Sequence, residues 1–328
     1  MKLATLKNGT RDGRLAVVSS DLTRAVFAGP VAATLLDAVE RWPAVEPRLR
    51  ALAMALEADM AQGAFAFDPV QAMAPLPRCY QWLDGSTFAN HGSLMERAFD
   101  TGVTNEYVKY PLVYQGASDD FIGPCDDVEL TSEADNMDFE AEVAVIVDEV
   151  PMGTPQDGVA PHIKLILLVN DVSLRAHAAR EMKTGFGWVQ AKPSSSFSPV
   201  AVTPDELKGA WSDGRVQLPL HIARDGAWFG HPNCNEMTFN FHRLIEHAAY
   251  SRRLRAGTIL GSGTVSNAAR SAGSACIAER RAIETLDQGG AKTPFLRFGE
   301  RVRIEMFDAE RRSIFGAIDQ RYVKQGGA

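Results

Sequence analysis

The sequence predicts an α+β protein, with a small N-terminal α/β unit over residues 1–72 and a large strand-rich domain over residues 73–328. Three observations lead there. Apolar residues recur at helical spacing in two early segments, a proline-rich stretch follows them, and the chain beyond it is dominated by short β-branched runs set between glycine, proline and aspartate.

The elements follow in order. Met1–Leu6 and Leu15–Ser19 are apolar-rich runs separated by Asn8-Gly9 and Asp12-Gly13, which are turn signals, so they read as a hairpin. After Pro30, the residues Val31, Leu35, Leu36 and Val39 share one helical face, and Pro43 interrupts the pattern. A second helix is expected from Pro47 to Met60, carrying Leu49, Leu52, Leu56 and Met60. Phe67–Pro77 holds three prolines in eleven residues and reads as a connector. Strands are expected at Glu142–Val147, Lys164–Val169, Arg215–Ile222 and Val302–Phe307, and helices at Ser173–Met182 and Phe239–Ser251. The C-terminal stretch Gln325–Ala328 is expected to fray.

Composition bounds the function. A chain of 328 residues that is 45% hydrophobic can bury a substantial core. Its formal charge of −7, without a basic patch interleaved with aromatics, argues against nucleic acid as a partner. No stretch approaches the roughly 18 consecutive apolar residues of a spanning helix. The polar N-terminus lacks the apolar core of a signal peptide, so a cytoplasmic protein is expected. Cys79, Cys125, Cys234 and Cys276 lie far apart, without zinc-site spacing, and are expected to be reduced. Neither a dinucleotide fingerprint nor a Gly-x-Ser-x-Gly elbow is present.

The informative residues are acids where a strand ought to be apolar. In DFEAEVAVIVD, Glu140 and Glu142 leave the same face of a strand and run into the apolar Val143–Val147. Two such carboxylates side by side need a cation or strong donors to stay ionised, and a hard divalent ion meets that need. The alternative is the solvated end of a strand. Asp171 ends the apolar run LILLVN and precedes a helical pattern, where it is either a site residue or, like Ser173, an N-cap. Asp84 and His91 stand seven apart in WLDGSTFANHG. Lys192 lies among small residues in AKPSSSFSPV, which would let a long side chain reach inward, while Arg175 could equally pair with Asp171 four residues earlier.

Taken together, Asp84 with His91, Glu140-x-Glu142, Asn170-Asp171-x-Ser173-x-Arg175, Lys192 before SSSFSPV and Gly261-Ser-Gly-Thr264 resemble, in kind and order, the fumarylacetoacetate hydrolase family over residues 76–310. The resemblance implies a mixed β-roll for the large domain and a homodimer. It also implies a divalent metal (Mg²⁺, with Ca²⁺ or Mn²⁺ as alternatives) held by Asp84, Glu140, Glu142 and Asp171. His91 falls on the family's catalytic histidine, Lys192 on its buried lysine, Arg175 on its substrate-facing arginine and Thr264 on its GSGT turn. Val113-Tyr114-Gln115-Gly116 is similar to the segment whose tyrosine faces substrate. Two departures stand out. Ala178 occupies the place of a glutamine, and Glu279, the nearest candidate to orient His91, is two residues out of register, with Glu284 behind it.

The function so implied is metal-dependent hydrolysis of a carbon–carbon bond in a 1,3-dicarbonyl acid, with 4-fumarylacetoacetate as the leading substrate. The alternatives are an acylpyruvate such as fumarylpyruvate, or a hydratase, isomerase or decarboxylase of 2-oxo acids on the same scaffold.

Overall fold

The structure, a computed structural model, describes residues 1–99 and 109–326. Gly327 and Ala328, part of the stretch expected to fray, lie outside the described residues. The backbone of the fold is an 11-stranded sheet. From one edge its path runs through Phe65–Ala66, Arg24–Phe27, Arg14–Val18, Lys2–Leu6, Ala201–Val202, Ile163–Asn170, Ala141–Val147, Ile259–Gly261 and Trp82–Ser86 to Leu112–Gly116, and Ser196–Phe197 pairs with Ile163–Asn170 off this path. The N-terminal strands therefore extend the same sheet that carries the acids, joined through Lys2 opposite Val202. A second, five-stranded sheet runs Ala227–Gly230, Leu220–Arg224, Arg301–Met306, Ile318–Lys324, Val128–Leu130.

The central strands are buried on both faces, which explains their unbroken apolar sequences. Along Ala141–Val147, Val143, Val145 and Val147 enter one hydrophobic cluster, shared with Ile166, Leu168 and the five-stranded sheet. Ala144 and Ile146 point the other way, into a second cluster with Leu165, Leu167, Val169 and Trp82. The helices Leu35–Glu40 and Trp42–Glu57 cover that second face with Leu35, Val39, Trp42, Val45, Leu49 and Leu56. By the two-residue period of a strand, Glu140 and Glu142 belong to the face of Ala144 and Ile146, and Asp84 to that of Trp82. All three acids thus project from the same side of the sheet.

Several boundaries differ from expectation for definable reasons. The first helix starts at Leu35, because Thr34 caps it by accepting the Asp37 N–H. The second begins at Trp42, since Pro43 suits a first turn, and it runs through Pro47 to Glu57. The expected strand Arg215–Ile222 is two pieces, Arg215–Val216 and Leu220–Arg224, parted at Pro219, which has no N–H to donate. Asn240 caps the helix Phe241–Ala248, shortening the expected Phe239–Ser251. Ser173 and Leu174 form a short strand with Met137–Asp138 before the helix Arg175–Thr184, so neither Asp171 nor Ser173 is an N-cap. Two helices without an apolar stripe obvious in sequence, Ala89–Phe99 and Ile277–Gln288, pack against one another. Among the described residues no helix is long and apolar enough to cross a membrane.

The strand Ile259–Gly261 lies between the strands of Asp84 and Glu142, with Gly261 opposite both Asp84 and Ala144. A Cβ on Gly261 would stand 2.2 Å from the Asp84 Oδ1, so only glycine lets that carboxylate lean across the sheet. Gly263 combines φ +76° with a would-be Cβ 2.2 Å from the Gly85 carbonyl oxygen. Gly263→Ala should therefore lower unfolding free energy by about 2–4 kcal/mol in a denaturant titration, combining left-handed strain with overpacking. An unchanged midpoint would contradict this account of the turn.

Candidate functional site

The four acids expected at a metal site converge. One carboxylate oxygen from each of Asp84, Glu140, Glu142 and Asp171 lies within 4.8 Å of the others. All four residues are buried. At that spacing each like-charged pair repels by about 3 kcal/mol in an effective dielectric near 20, so the cluster cannot stay fully ionised without cations.

Part of the compensation is built in. The Lys192 ammonium donates to Glu140 Oε2 at 2.6 Å and Ser173 Oγ at 2.9 Å, and also to Asp171 Oδ2. Arg175 spans Asp138 and Glu140, with Nε at 2.8 Å from Asp138 Oδ2 and Nη2 at 2.6 Å from Glu140 Oε1. It does not pair with Asp171. Asp171 also accepts from the Ser195 hydroxyl at 2.8 Å and the Tyr114 hydroxyl at 2.8 Å. Burial pushes the Glu140 carboxyl upward, but Lys192 and Arg175 outweigh it and hold the group below the usual carboxylate range.

The other half of the cluster has no such help. Both carboxylate oxygens of Glu142 are buried without a hydrogen-bond partner. Asp84 accepts one long bond, 3.2 Å from the Gly263 N–H. Burial, reinforced by the neighbouring acids, raises both groups well above the ordinary carboxylate range. Fully buried carboxylates converging from three strands and the residues flanking them, with both Glu142 oxygens orphaned, fit an oxygen-preferring divalent cation.

His91 and Glu279 meet beside this cluster. The helix Ala89–Phe99 presents His91, and its partner helix Ile277–Gln288 presents Glu279 from the first turn. His91 Nδ1 lies 2.7 Å from Glu279 Oε2, with the Glu279 side chain 1% exposed and that of His91 14%. Glu284 instead accepts from the Lys292 and Thr293 N–H groups.

Tyr114 packs its ring 5.1 Å from that of Trp188, and the Lys192 ammonium stands 5.3 and 5.2 Å from the two ring centroids. Thr264 is buried beyond the Gly261–Gly263 turn, next to Val265, whose N–H bonds the Ala141 carbonyl. Ala178 lies on the helix Arg175–Thr184, and its neighbour His177 turns away to Asp135 at 3.0 Å.

Sequence reasoning passed over Asp138, Ser195, Trp188 and Cys276. Asp138 is fully buried, accepts the Ile277 and Ala278 N–H groups at 2.7 and 2.9 Å, and binds Arg175. It therefore ties the start of the Glu279 helix to Glu140 through one guanidinium, at the positive end of that helix. The signal was present, since Asp138, Glu140 and Glu142 alternate along one stretch.

Comparison with known proteins places these features in context. Residues 81–322 match the sequence family described as fumarylacetoacetate (FAA) hydrolase C-terminal, and residues 1–78 match fumarylacetoacetase N-terminal domain 2. The mitochondrial oxaloacetate tautomerases of Xenopus laevis and Rattus norvegicus are 24% and 26% identical over 159 residues. Each match covers 48% of this chain and 48% of the relative, so it spans about half of those proteins. The structure of maleylpyruvate hydrolase from Sphingobium sp. SYK-6 in complex with manganese(II) ion and pyruvate is similar in fold, with a TM-score of 0.66, 14% identity and 99% of each chain covered. That of 2-hydroxyhepta-2,4-diene-1,7-dioate isomerase from Mycobacterium marinum gives 0.61, 15% and 100% of each chain.

The raised carboxyls carry a signed consequence. Asp84 and Glu142 titrate near 4 when unfolded, so above that value the metal-free native state holds protons that the unfolded chain has lost. Stability of chelator-treated protein should fall as pH rises from about 5 to about 8. Saturating Mg²⁺ or Mn²⁺ should raise the melting temperature more at the upper pH, because protons compete with the cation. A metal-induced shift independent of pH in calorimetry would overturn this reading of the cluster.

Proposed function

The chain belongs to the fumarylacetoacetate hydrolase family, and on that premise we propose that it hydrolyses a carbon–carbon bond in a 1,3-dicarbonyl acid, converting 4-fumarylacetoacetate to fumarate and acetoacetate. The observation that carries this reading is the His91–Glu279 pair at 2.7 Å beside the four-carboxylate cluster. The match of residues 1–78 to fumarylacetoacetase N-terminal domain 2 is in keeping with this reading.

Each side chain has a definable job. Glu279 accepts the Nδ1 proton of His91, which fixes the tautomer and leaves Nε2 as the proton acceptor. His91 takes a proton from water as its oxygen adds to the fumaroyl carbonyl carbon. Lys192 spends its three N–H groups on Glu140, Asp171 and Ser173, and would stabilise the oxyanion that forms by turning the Ser173 donor to it. The carbon–carbon bond then breaks, its electron pair passes to the acetoacetate fragment, and protonated His91 returns the proton to that carbon. Arg175, with Nε and Nη2 held by Asp138 and Glu140, keeps Nη1 for the substrate carboxylate. Tyr114, which donates to Asp171, and Thr264, which follows the Gly261–Gly263 turn, are assigned to substrate contact. A divalent cation bound by Asp84, Glu140, Glu142 and Asp171 would supply Lewis-acid polarisation of the substrate's oxygens.

A second reading has a specific support, the kinship with proteins named oxaloacetate tautomerases. The same histidine–glutamate pair can shuttle a proton between the carbon and oxygen of a 2-oxo acid enol without breaking the chain. Product analysis separates the two, since tautomerisation yields no new carboxylic acid.

His91→Ala should lower kcat on fumarylacetoacetate by about 10²–10⁴-fold while leaving the metal-induced rise in melting temperature intact. Glu279→Gln should give a smaller loss of kcat with a shifted pH profile. Fumarate and acetoacetate released at an undiminished rate by His91→Ala would sink the assignment of the base. Metal-dependent loss of substrate absorbance without either product would favour the tautomerase.

A further inference from the structure

A second convergence of donor atoms lies against the first and differs from it in chemistry. A ring nitrogen of His91, a carboxylate oxygen of Glu140 and the Cys276 Sγ all fall within 4.8 Å of one another. Three separate pieces of chain bring them there. Cys276 opens the helix Ile277–Gln288 as its N-cap, with Sγ accepting the Glu279 N–H at 3.3 Å. Glu140 and Cys276 face each other in an isolated antiparallel bridge. His91 comes from the helix packed on that of Glu279.

This set offers nitrogen, sulfur and oxygen, whereas the neighbouring cluster offers oxygen alone. Imidazole and thiolate select borderline or soft ions such as Zn²⁺ and Co²⁺, while an all-carboxylate set suits Mg²⁺ and Mn²⁺. With Nδ1 held by Glu279, Nε2 is the ring nitrogen His91 has left for a metal. A histidine on zinc usually donates its second ring N–H to a carboxylate, and Glu279 already accepts from Nδ1. Tetrahedral zinc places its donors about 3.5 Å apart. Closing the present triangle requires side-chain rotations of about an ångström, with a water completing the coordination.

We propose that His91, Glu140 and Cys276 form a soft-metal site that takes Zn²⁺ with water as fourth ligand, and that zinc there inhibits the enzyme by occupying the free nitrogen of His91. The inhibition rests on the role given to His91 above, but the binding itself does not. On coordination the Cys276 S–H bond breaks, the sulfur keeps the electron pair as a thiolate ligand, and the proton leaves to solvent. Because Glu140 belongs to both clusters, a hard ion in one and a soft ion in the other compete for it.

Cobalt(II) reads out this site without turnover, because a thiolate ligand gives a sulfur-to-cobalt charge-transfer band. Without Mg²⁺ the wild-type chain should bind Co²⁺ with that band, and excess Mg²⁺ should weaken it through the shared Glu140. Cys276→Ser, which preserves the N-cap, should lose it, and its Zn²⁺ affinity should fall by at least the roughly 10–100-fold that deleting even an outer-sphere partner costs. His91→Ala should weaken Zn²⁺ to a similar extent. Glu142→Gln, which touches only the carboxylate cluster, should keep the band. Circular dichroism of each variant separates lost binding from lost folding. Absence of a sulfur band in folded wild-type protein, or its survival in Cys276→Ser, would overturn the site, as would unchanged Zn²⁺ affinity in the folded Cys276→Ser chain. None of these outcomes depends on which substrate the enzyme hydrolyses.

Discussion

Like charges held together away from water are the constraint that organises this molecule. Four buried carboxylates with oxygens within 4.8 Å of one another cannot all be ionised in isolation. The surrounding chain answers in two ways. Lys192 and Arg175 neutralise the Glu140–Asp171 side, each donating to two acids. The Asp84–Glu142 side is left with orphaned oxygens, which is the feature a divalent ion would complete. The asymmetry matters chemically, because the half already neutralised is also the half nearest His91.

The sheet exists in the form that makes this crowding achievable. Asp84, Gly261 and Ala144 lie side by side on three adjacent strands, and the missing Cβ of Gly261 is the space through which Asp84 reaches toward Glu142. The turn that follows runs so close to Gly85 that Gly263 is also required. Two apolar clusters clamp the strands from either face, so their register cannot slip without turning the acids onto the opposite side.

Asp138 links the electrostatics to the His91–Glu279 pair. It receives the first N–H groups of the Glu279 helix and, through Arg175, fixes that helix relative to Glu140. Glu279, the hydrogen-bond partner of His91, is thereby held against Glu140 by buried charge-assisted bonds. The short pairing of Met137–Asp138 with Ser173–Leu174 brings Ser173 to the Lys192 ammonium in the same stroke.

The sequence by itself determined what depends on local periodicity and turn chemistry. The two-residue alternation put Glu140 and Glu142 on one face, proline and glycine placed the breaks, and the order of short motifs identified the family. It also held Asp138 in that alternation, where the signal was readable but unread. What only the tertiary structure decided is which charges meet. Arg175 turned from Asp171, four residues away, to Asp138 and Glu140, more than thirty residues back, because strand pairing brought those acids within reach of its guanidinium. Glu279 reached His91 across 188 positions despite a spacing two residues off expectation. Charge compensation is a property of distance in space, and in a sheet that distance is set by register between strands remote in sequence, which no window along the chain encodes.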